Sequence, residues 1–126
     1  MLIENIFGLS KHISLGRNGE QLAVSFLKQK GHLLLHTNYR CGHKEIDIIT
    51  LDKDILVFSE IKTRSSYAFG FPETAVTPAK QLLLKAAAEA FLLDNISYKK
   101  VRFDIISILM ANGVVKEMMH FEDAFY

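Results

Sequence analysis

The stretch 55–63, ILVFSEIKT, restricts the fold more than any other part of the chain. Side chains alternate along a strand, so Ile55, Val57, Ser59 and Ile61 take one face, while Leu56, Phe58, Glu60 and Lys62 take the other, with Arg64 continuing that second set. Both faces are substantially apolar. A strand of that kind belongs in the middle of a sheet covered on both sides, and the rest of the chain has to supply the neighbours and the covers.

The flanking sequence does so in order. Segments 33–40 and 45–51 read as strands rich in β-branched and long apolar residues, with Asp52-Lys53 as the tight turn into the central strand. From about residue 15 to 30 the apolar positions recur with helical period, and Gly31 stands where a C-cap glycine belongs. Thr77-Pro78 opens a second helix running to about residue 93, threonine as the cap and proline at the first helical position. Segments 101–110 and 114–121 form a hairpin around Asn112-Gly113, a strong turn signal. Residues 1–14 are a lead-in whose Ile3, Ile6, Phe7 and Leu9 can cover the core, and 65–76, with Gly70 and Pro72, is a loop. The order α-β-β-β-α-β-β predicts an α/β fold with a mixed central sheet of about five strands flanked by helices. At 126 residues the chain is expected to be one domain, with its core in 15–121.

Composition narrows the partners. Fifteen Lys and Arg stand against 14 Asp and Glu, a formal charge of +1, so nucleic acid or an anionic membrane could be held only by a local patch. The single cysteine, Cys41, excludes an internal disulfide and suits a reducing cytoplasm. The most apolar segment, 82–93, is broken by Lys85 and Glu89 and is too short for a membrane span. The first residues lack the basic region of a secretory signal, so a cytoplasmic location is expected.

Function enters through carboxylates on apolar faces. Glu20 falls inside the arc set by Leu22, Ala23, Val24, Phe26 and Leu27, although an acid in a first turn also suits the helix dipole. Glu45, Asp47 and Ile49 share a strand face. A two-residue Asp52-Lys53 turn sets Glu45 opposite Glu60 and Asp47 opposite Phe58, with Lys62 at the same end. Like charges opposite one another destabilise a sheet, so this crowding needs a cation. A hard divalent ion, Mg²⁺ or Mn²⁺, would take carboxylate oxygens and keep waters for a substrate phosphate, with Lys62 near the scissile group. The plainer alternative is a buried ion-pair network of Lys62 with Asp47 or Glu60.

These residues resemble the PD-(D/E)xK nuclease superfamily, the restriction-endonuclease-like fold. Asp47 resembles its first acid, Glu60-Ile61-Lys62 its (D/E)xK element, and Glu20 the first-helix glutamate of the Holliday-junction resolvase branch. Six ordered blocks over residues 15–110 are similar to the YraN-like bacterial family of endonuclease-like proteins: Gly16-Arg-Asn-Gly-Glu-Gln-Leu-Ala23, Asn38-Tyr-Arg40, Glu45-Ile-Asp-Ile-Ile49, Val57-Phe-Ser-Glu-Ile-Lys-Thr-Arg64, Phe69-Gly-Phe-Pro-Glu73 and Arg102-Phe-Asp104. Ile46 replaces the proline of the superfamily's name, and Lys44 stands where the family often has glycine. The resemblance implies Asp47 and Glu60 as metal ligands, Glu20 as a further ligand direct or through water, and Lys62 as the group that orients water or stabilises charge. Glu45 is an auxiliary acid.

The expected activity is therefore metal-dependent endonucleolytic hydrolysis of nucleic acid, DNA ahead of RNA, on branched or single-stranded substrates, with Mg²⁺ or Mn²⁺ and no organic cofactor. A non-catalytic nucleic-acid-binding module, or a scaffold in which the acids and Lys62 are structural, are the alternatives. Arg17, Arg40, Arg64, Ser65, Lys80 and Gln81 are weaker nucleic-acid-binding candidates, Lys80 and Gln81 because they begin a helix. Arg102 and Asp104 read as a structural ion pair. His32, His36, Cys41 and His43 lack the paired spacing of a zinc site. The second helix is apolar nearly all round, which allows a homodimer, with no membrane partner.

Overall fold

A computed structural model of the chain describes residues 17–65 and 76–126. The predicted lead-in and the Phe69–Glu73 block lie outside the described residues. The elements are α1 (Arg17–Gln29), β1 (Leu33–Cys41), β2 (Lys44–Asp52), β3 (Ile55–Arg64), α2 (Pro78–Asp94), β4 (Lys100–Ala111) and β5 (Val114–Phe125). They form one five-stranded sheet in the order β1-β2-β3-β4-β5. Every neighbouring pair is antiparallel except β3 and β4, which run parallel. A parallel pair cannot be closed by a hairpin, and the crossover containing α2 supplies the connection. The mixed α/β architecture expected from the sequence is the one found.

The sheet is covered on both faces, as the apolar central strand requires. Leu22, Ala23, Phe26 and Leu27 of α1 pack on Ile48, Ile106, Ile108, Met110, Val115 and Met118. Leu84, Ala87, Ala88 and Phe91 of α2 pack on Ile49, Leu56, Phe58 and Ile105 from the other side. Alternate residues of one strand thus enter different cores, Ile105 under α2 and Ile106 under α1. Close approach fixes the seat of α1. A Cβ on Gly19 would stand 2.7 Å from Thr63 Oγ1, so glycine is what lets the helix reach β3 there. Among the described residues no helix is long and apolar enough to cross a membrane.

Local signals account for the ends of these elements. Thr77 caps α2 by accepting the Lys80 amide at 3.3 Å, with Pro78 in the first turn. Asn112 and Gly113 both take positive φ, 54° and 74°, the pair of angles that a two-residue hairpin matched to strand twist needs. One turn differs from expectation. Asp52 pairs with Ile55 and Leu51 with Leu56, so the turn residues are Lys53 and Asp54, not Asp52 and Lys53. Lys53 takes the left-handed conformation at φ 58°, and Asp54 is held by Lys100 at 2.9 Å. The slip changes each strand-pair sum by two, so facing parity survives while every partner moves along.

Alternation also breaks at one place on β2. Ile48 belongs to the core under α1, but Ile46, two residues away, belongs to the core under α2. The partner strand shows the same irregularity: Asn38, between the partners of Ile46 and Ile48, has φ 51°. Asparagine tolerates this backbone region better than most residues. Asp47 sits at the break.

Candidate active site

The site forms where β2 leaves β3. Their ladder runs from Asp52–Ile55 to Ile48–Ser59 and stops. Beyond it the amide of Ile61 donates to Asp47 Oδ2 at 2.9 Å, so a side chain takes over where the ladder ends. With this register Asp47 comes level with Glu60, not with Phe58 as the sequence reading had it, and Glu45 moves out beyond the pair. Glu60 keeps 7% of its surface exposed and shares the α2 side of β3 with Phe58. Lys80, in the first turn of α2, reaches down to Glu60 Oε2 at 3.1 Å. Asp47, Glu60 and Lys80, with His43, Lys44, Glu45, Leu83 and Leu84, line a cavity of about 200 Å³.

Burial and like charge give these groups unusual proton affinities. Burial, then the hydrogen bond and charge of Glu60, pushes the Asp47 carboxyl up to about 7, against the pull of the Ile61 amide and Lys80. Burial and the neighbouring acid together favour a proton on Asp47. Lys62 is drawn below the ordinary lysine value, first by burial and then by its hydrogen bond with Lys80 and that residue's charge. Lys80 moves the other way: against the cost of its own burial, the Lys62 hydrogen bond and the charges of Glu60 and Asp47 hold its proton more tightly. One ammonium stays firmly charged and the other is eased toward the amine.

Two carboxylates from adjoining strands therefore meet, and Lys62 and Lys80 interact with both of them. Glu20 is not part of that group. Its Oε1 accepts from Asn38 Nδ2 at 2.8 Å, and it lines a separate cavity on the α1 side with Gln21, Val24, Ser25, Leu34 and Thr37. Among the described residues no three His, Cys, Asp or Glu gather as a metal-binding group. The reason lies in the layers: α1 covers one face of the sheet, Glu60 and Lys80 occupy the other, and Asn38, level with Asp47 on β1, stands between. Glu45 lies at the cavity mouth, its side chain 39% exposed, 3.8 Å from Arg40.

The weaker nucleic-acid-binding candidates scatter. Arg40 is exposed beside Glu45, and Ser65 is exposed just past β3. Arg64 is half-buried, and among the described residues its Nε has no partner. Gln81 turns inward and donates from Nε2 to the Val76 carbonyl at 3.1 Å, a loop-fastening contact. Arg17 begins α1. Lys80 is the exception, since it lies inside the site and not on an outer patch. A signal for this existed: Lys80 precedes Leu84, Ala87, Ala88 and Phe91 by four, seven, eight and eleven residues, which puts a charge at the head of the buried stripe of α2. Ser107, the register partner of Lys62 on β4, is another residue the sequence reading passed over, and among the described residues its buried hydroxyl has no partner.

A second charged cluster lies elsewhere in the sheet. Arg102 donates from Nε and Nη2 to the two oxygens of Asp104 at 2.8 and 2.9 Å, and from Nη1 to Asp52 at 3.1 Å. Asp104 also accepts from the Asp123 amide at 3.0 Å and lies 2.7 Å from His120 Nε2. Burial alone would raise the Asp104 carboxyl, but His120 and Arg102 outweigh it and hold it down to about 2. His32, proposed above only to be set aside as a zinc ligand, pairs with Thr50 at 2.8 Å, and burial keeps its proton affinity low. The Arg102–Asp104 ion pair read from the sequence is thus a tie between the β2–β3 hairpin end and β5.

The donor chemistry of the cavity suits a hard divalent ion. Asp47 and Glu60 are oxygen donors lining one cavity, and Mg²⁺ commonly uses one or two carboxylates and leaves its other positions to water and phosphate.

Fold and site together define a mixed-sheet α/β protein with a carboxylate–lysine cavity beside the departure of β2 from β3. The model of "Uncharacterised protein family UPF0102" matches residues 19–108, and the chain belongs to that family. It is 44% identical over 118 residues to the UPF0102 protein of Flavobacterium psychrophilum, covering 94% of this chain and 98% of that one. It is also 44% identical over 119 residues to a Geotalea daltonii relative, covering 94% of each, and 46% identical over 117 to one from Chlorobium phaeobacteroides, covering 88% and 93%.

Proposed function

We propose that this chain is a metal-dependent phosphodiesterase of the PD-(D/E)xK type, cleaving nucleic acid, with DNA ahead of RNA. The observation that carries the reading is the meeting of Asp47, Glu60 and Lys80 in one cavity, with Lys62 interacting with all three. Asp47 and Glu60 would hold Mg²⁺ or Mn²⁺; Glu20, bonded to Asn38, is left at most an outer role. When bound, the ion would lower the pKa of a coordinated water and offset charge on the phosphate. Lys62, with its proton affinity lowered, is suited to orient that water or accept its proton at Nζ. Lys80 would add positive charge where the phosphorane's negative charge develops.

Cleavage of single-stranded, duplex and four-way DNA, and of single-stranded RNA, in Mg²⁺ and Mn²⁺ tests this. Lys62→Met is expected to lose about 10²–10⁴-fold in cleavage rate while still folding, and Asp47→Ala to lose the metal dependence altogether. No cleavage of any substrate, or cleavage undiminished in both variants, refutes the enzyme reading. Salt-dependent binding without turnover would favour the binding-module alternative.

A further inference from the structure

Lys80 is the feature of this site that the (D/E)xK pattern does not contain. It comes from α2, not from the sheet, and sits at the head of that helix's buried stripe. Its Nζ lies 3.1 Å from Glu60 Oε2, and its side chain also meets Lys62. Two amines at one carboxylate pair are more positive charge than an ion pair of Lys62 alone would need. Glu60 is nearly closed off from water, so the oxygen that Lys80 holds is one that an incoming cation would have to win. Lys80 keeps 38% of its side chain exposed, and its long stem gives the ammonium somewhere to go.

We propose that Lys80 is a resident cation of the site: its ammonium holds Glu60 while no divalent ion is bound, yields that oxygen when one binds, and then takes the phosphate of the nucleic acid. This deepens the phosphodiesterase reading and rests on it. The same charge thus serves twice. It keeps two neighbouring carboxylates together in the free protein, and it adds a phosphate contact once the ion has replaced it. A hydrated ammonium on four methylenes is a point charge that can move between the two oxygens without a fixed bonding geometry.

The test is calorimetric titration of Mn²⁺ into the full chain and into Lys80→Met, Lys80→Gln, Lys80→Arg and Glu60→Gln, with thermal melts in chelator as the folding control. Loss of a positive charge next to the ion should tighten Mn²⁺ binding by on the order of tenfold in Lys80→Met. Lys80→Gln, which keeps a donor for Glu60, should do the same if the methionine variant does not fold, and Lys80→Arg should stay near wild type. At saturating Mn²⁺, affinity for a nuclease-resistant phosphorothioate oligonucleotide should fall in both neutral variants, with the salt slope smaller by about one. Neutral variants that fold and bind Mn²⁺ no more tightly than wild type overturn the proposal. Tighter Mn²⁺ with unchanged oligonucleotide affinity overturns the transfer to phosphate. If wild type and the neutral variants alike bind no Mn²⁺, the metal reading itself has failed and takes this one with it. Weaker binding in Glu60→Gln alone leaves that reading standing and sinks only the role of Lys80.

Discussion

Replacing Asp47 by asparagine should make the metal-free protein more stable at pH 8. In the folded chain the carboxyl is raised from 3.8 to about 7, by burial first and by Glu60 second. The folded state therefore binds this proton more tightly than the unfolded chain does. Stability linked to it is fully present below about pH 4 and is lost as the pH rises to 7. Each tenfold in proton affinity is about 1.4 kcal/mol, so the ionised pair costs up to about 4 kcal/mol above pH 7. Water entry and side-chain relaxation bring the usable figure to about 2–4 kcal/mol. Asparagine keeps an oxygen for the Ile61 amide and can donate to Glu60, so the substitution removes the charge without orphaning a backbone group. For a chain of this size the gain corresponds to a rise in melting temperature of about 10 °C. Denaturant or thermal unfolding of both proteins in chelator, from pH 4 to pH 8, measures it. The curves should meet near pH 4 and diverge to a plateau above 7, and Mn²⁺ should stabilise only the wild type. A variant that is less stable at pH 8, or a difference flat with pH, would refute the view that the two carboxylates are forced together.

Two further expectations concern the frame. Gly19→Ala should cost about 1–3 kcal/mol, because the new methyl would stand 2.7 Å from Thr63 Oγ1; in the Thr63→Ala background the cost should largely vanish, as a double-mutant cycle in urea would show. Asp104→Asn should destabilise the fold by about 3–5 kcal/mol at neutral pH, since it leaves Arg102 buried against half its partners. The carboxyl of Asp104, held down to about 2, contributes stability above the ordinary aspartate value that is lost as pH falls toward 2, so the loss caused by the substitution should shrink through that window.

How much of this was legible follows from which signals are local. The central position of β3, the cap at Thr77 and the Asn112-Gly113 hairpin depend on residues within a few positions of one another, and each was readable. The turn before β3 was placed one residue early because Asp52 and Asp54 both flank Lys53 and either frame gives a polar turn. The structure decides through contacts far along the chain: Asp54 with Lys100, and Asp52 with Arg102. Because that slip moved the partners by two, Asp47 and Glu60 still share a neighbourhood, though level with one another and not diagonal. Glu20 was expected inside the buried arc of α1 and as a further metal ligand; the structure bonds it to Asn38, a neutral amide on β1. Which face of the sheet α1 covers cannot be read from its own periodicity, and that choice separates Glu20 from Glu60.

The break in β2 is what makes a site out of a sheet. Had the ladder continued past Ile48–Ser59, the next side chains would have packed as Ile49 and Phe58 do, and Glu60 would have had Lys80 alone in an apolar layer. Instead the strand turns over at Asp47, Ile46 leaves one core for the other, and the amide of Ile61 is satisfied by a carboxylate. That hydrogen bond fixes Asp47 beside Glu60, at a cost in burial and repulsion that the Ile61 amide and Lys80 only partly offset. The raised proton affinity of Asp47 is thus a consequence of how the strands part. Among the described residues the remaining charge cluster, around Arg102, behaves in the opposite way: Arg102 donates to both oxygens of Asp104 and to Asp52, and Asp104 is held down to about 2 where Asp47 is pushed up. A cluster bonded in this way ties strands together. A cavity in which burial and a neighbouring acid raise the proton affinity of a carboxyl is the place to look for chemistry.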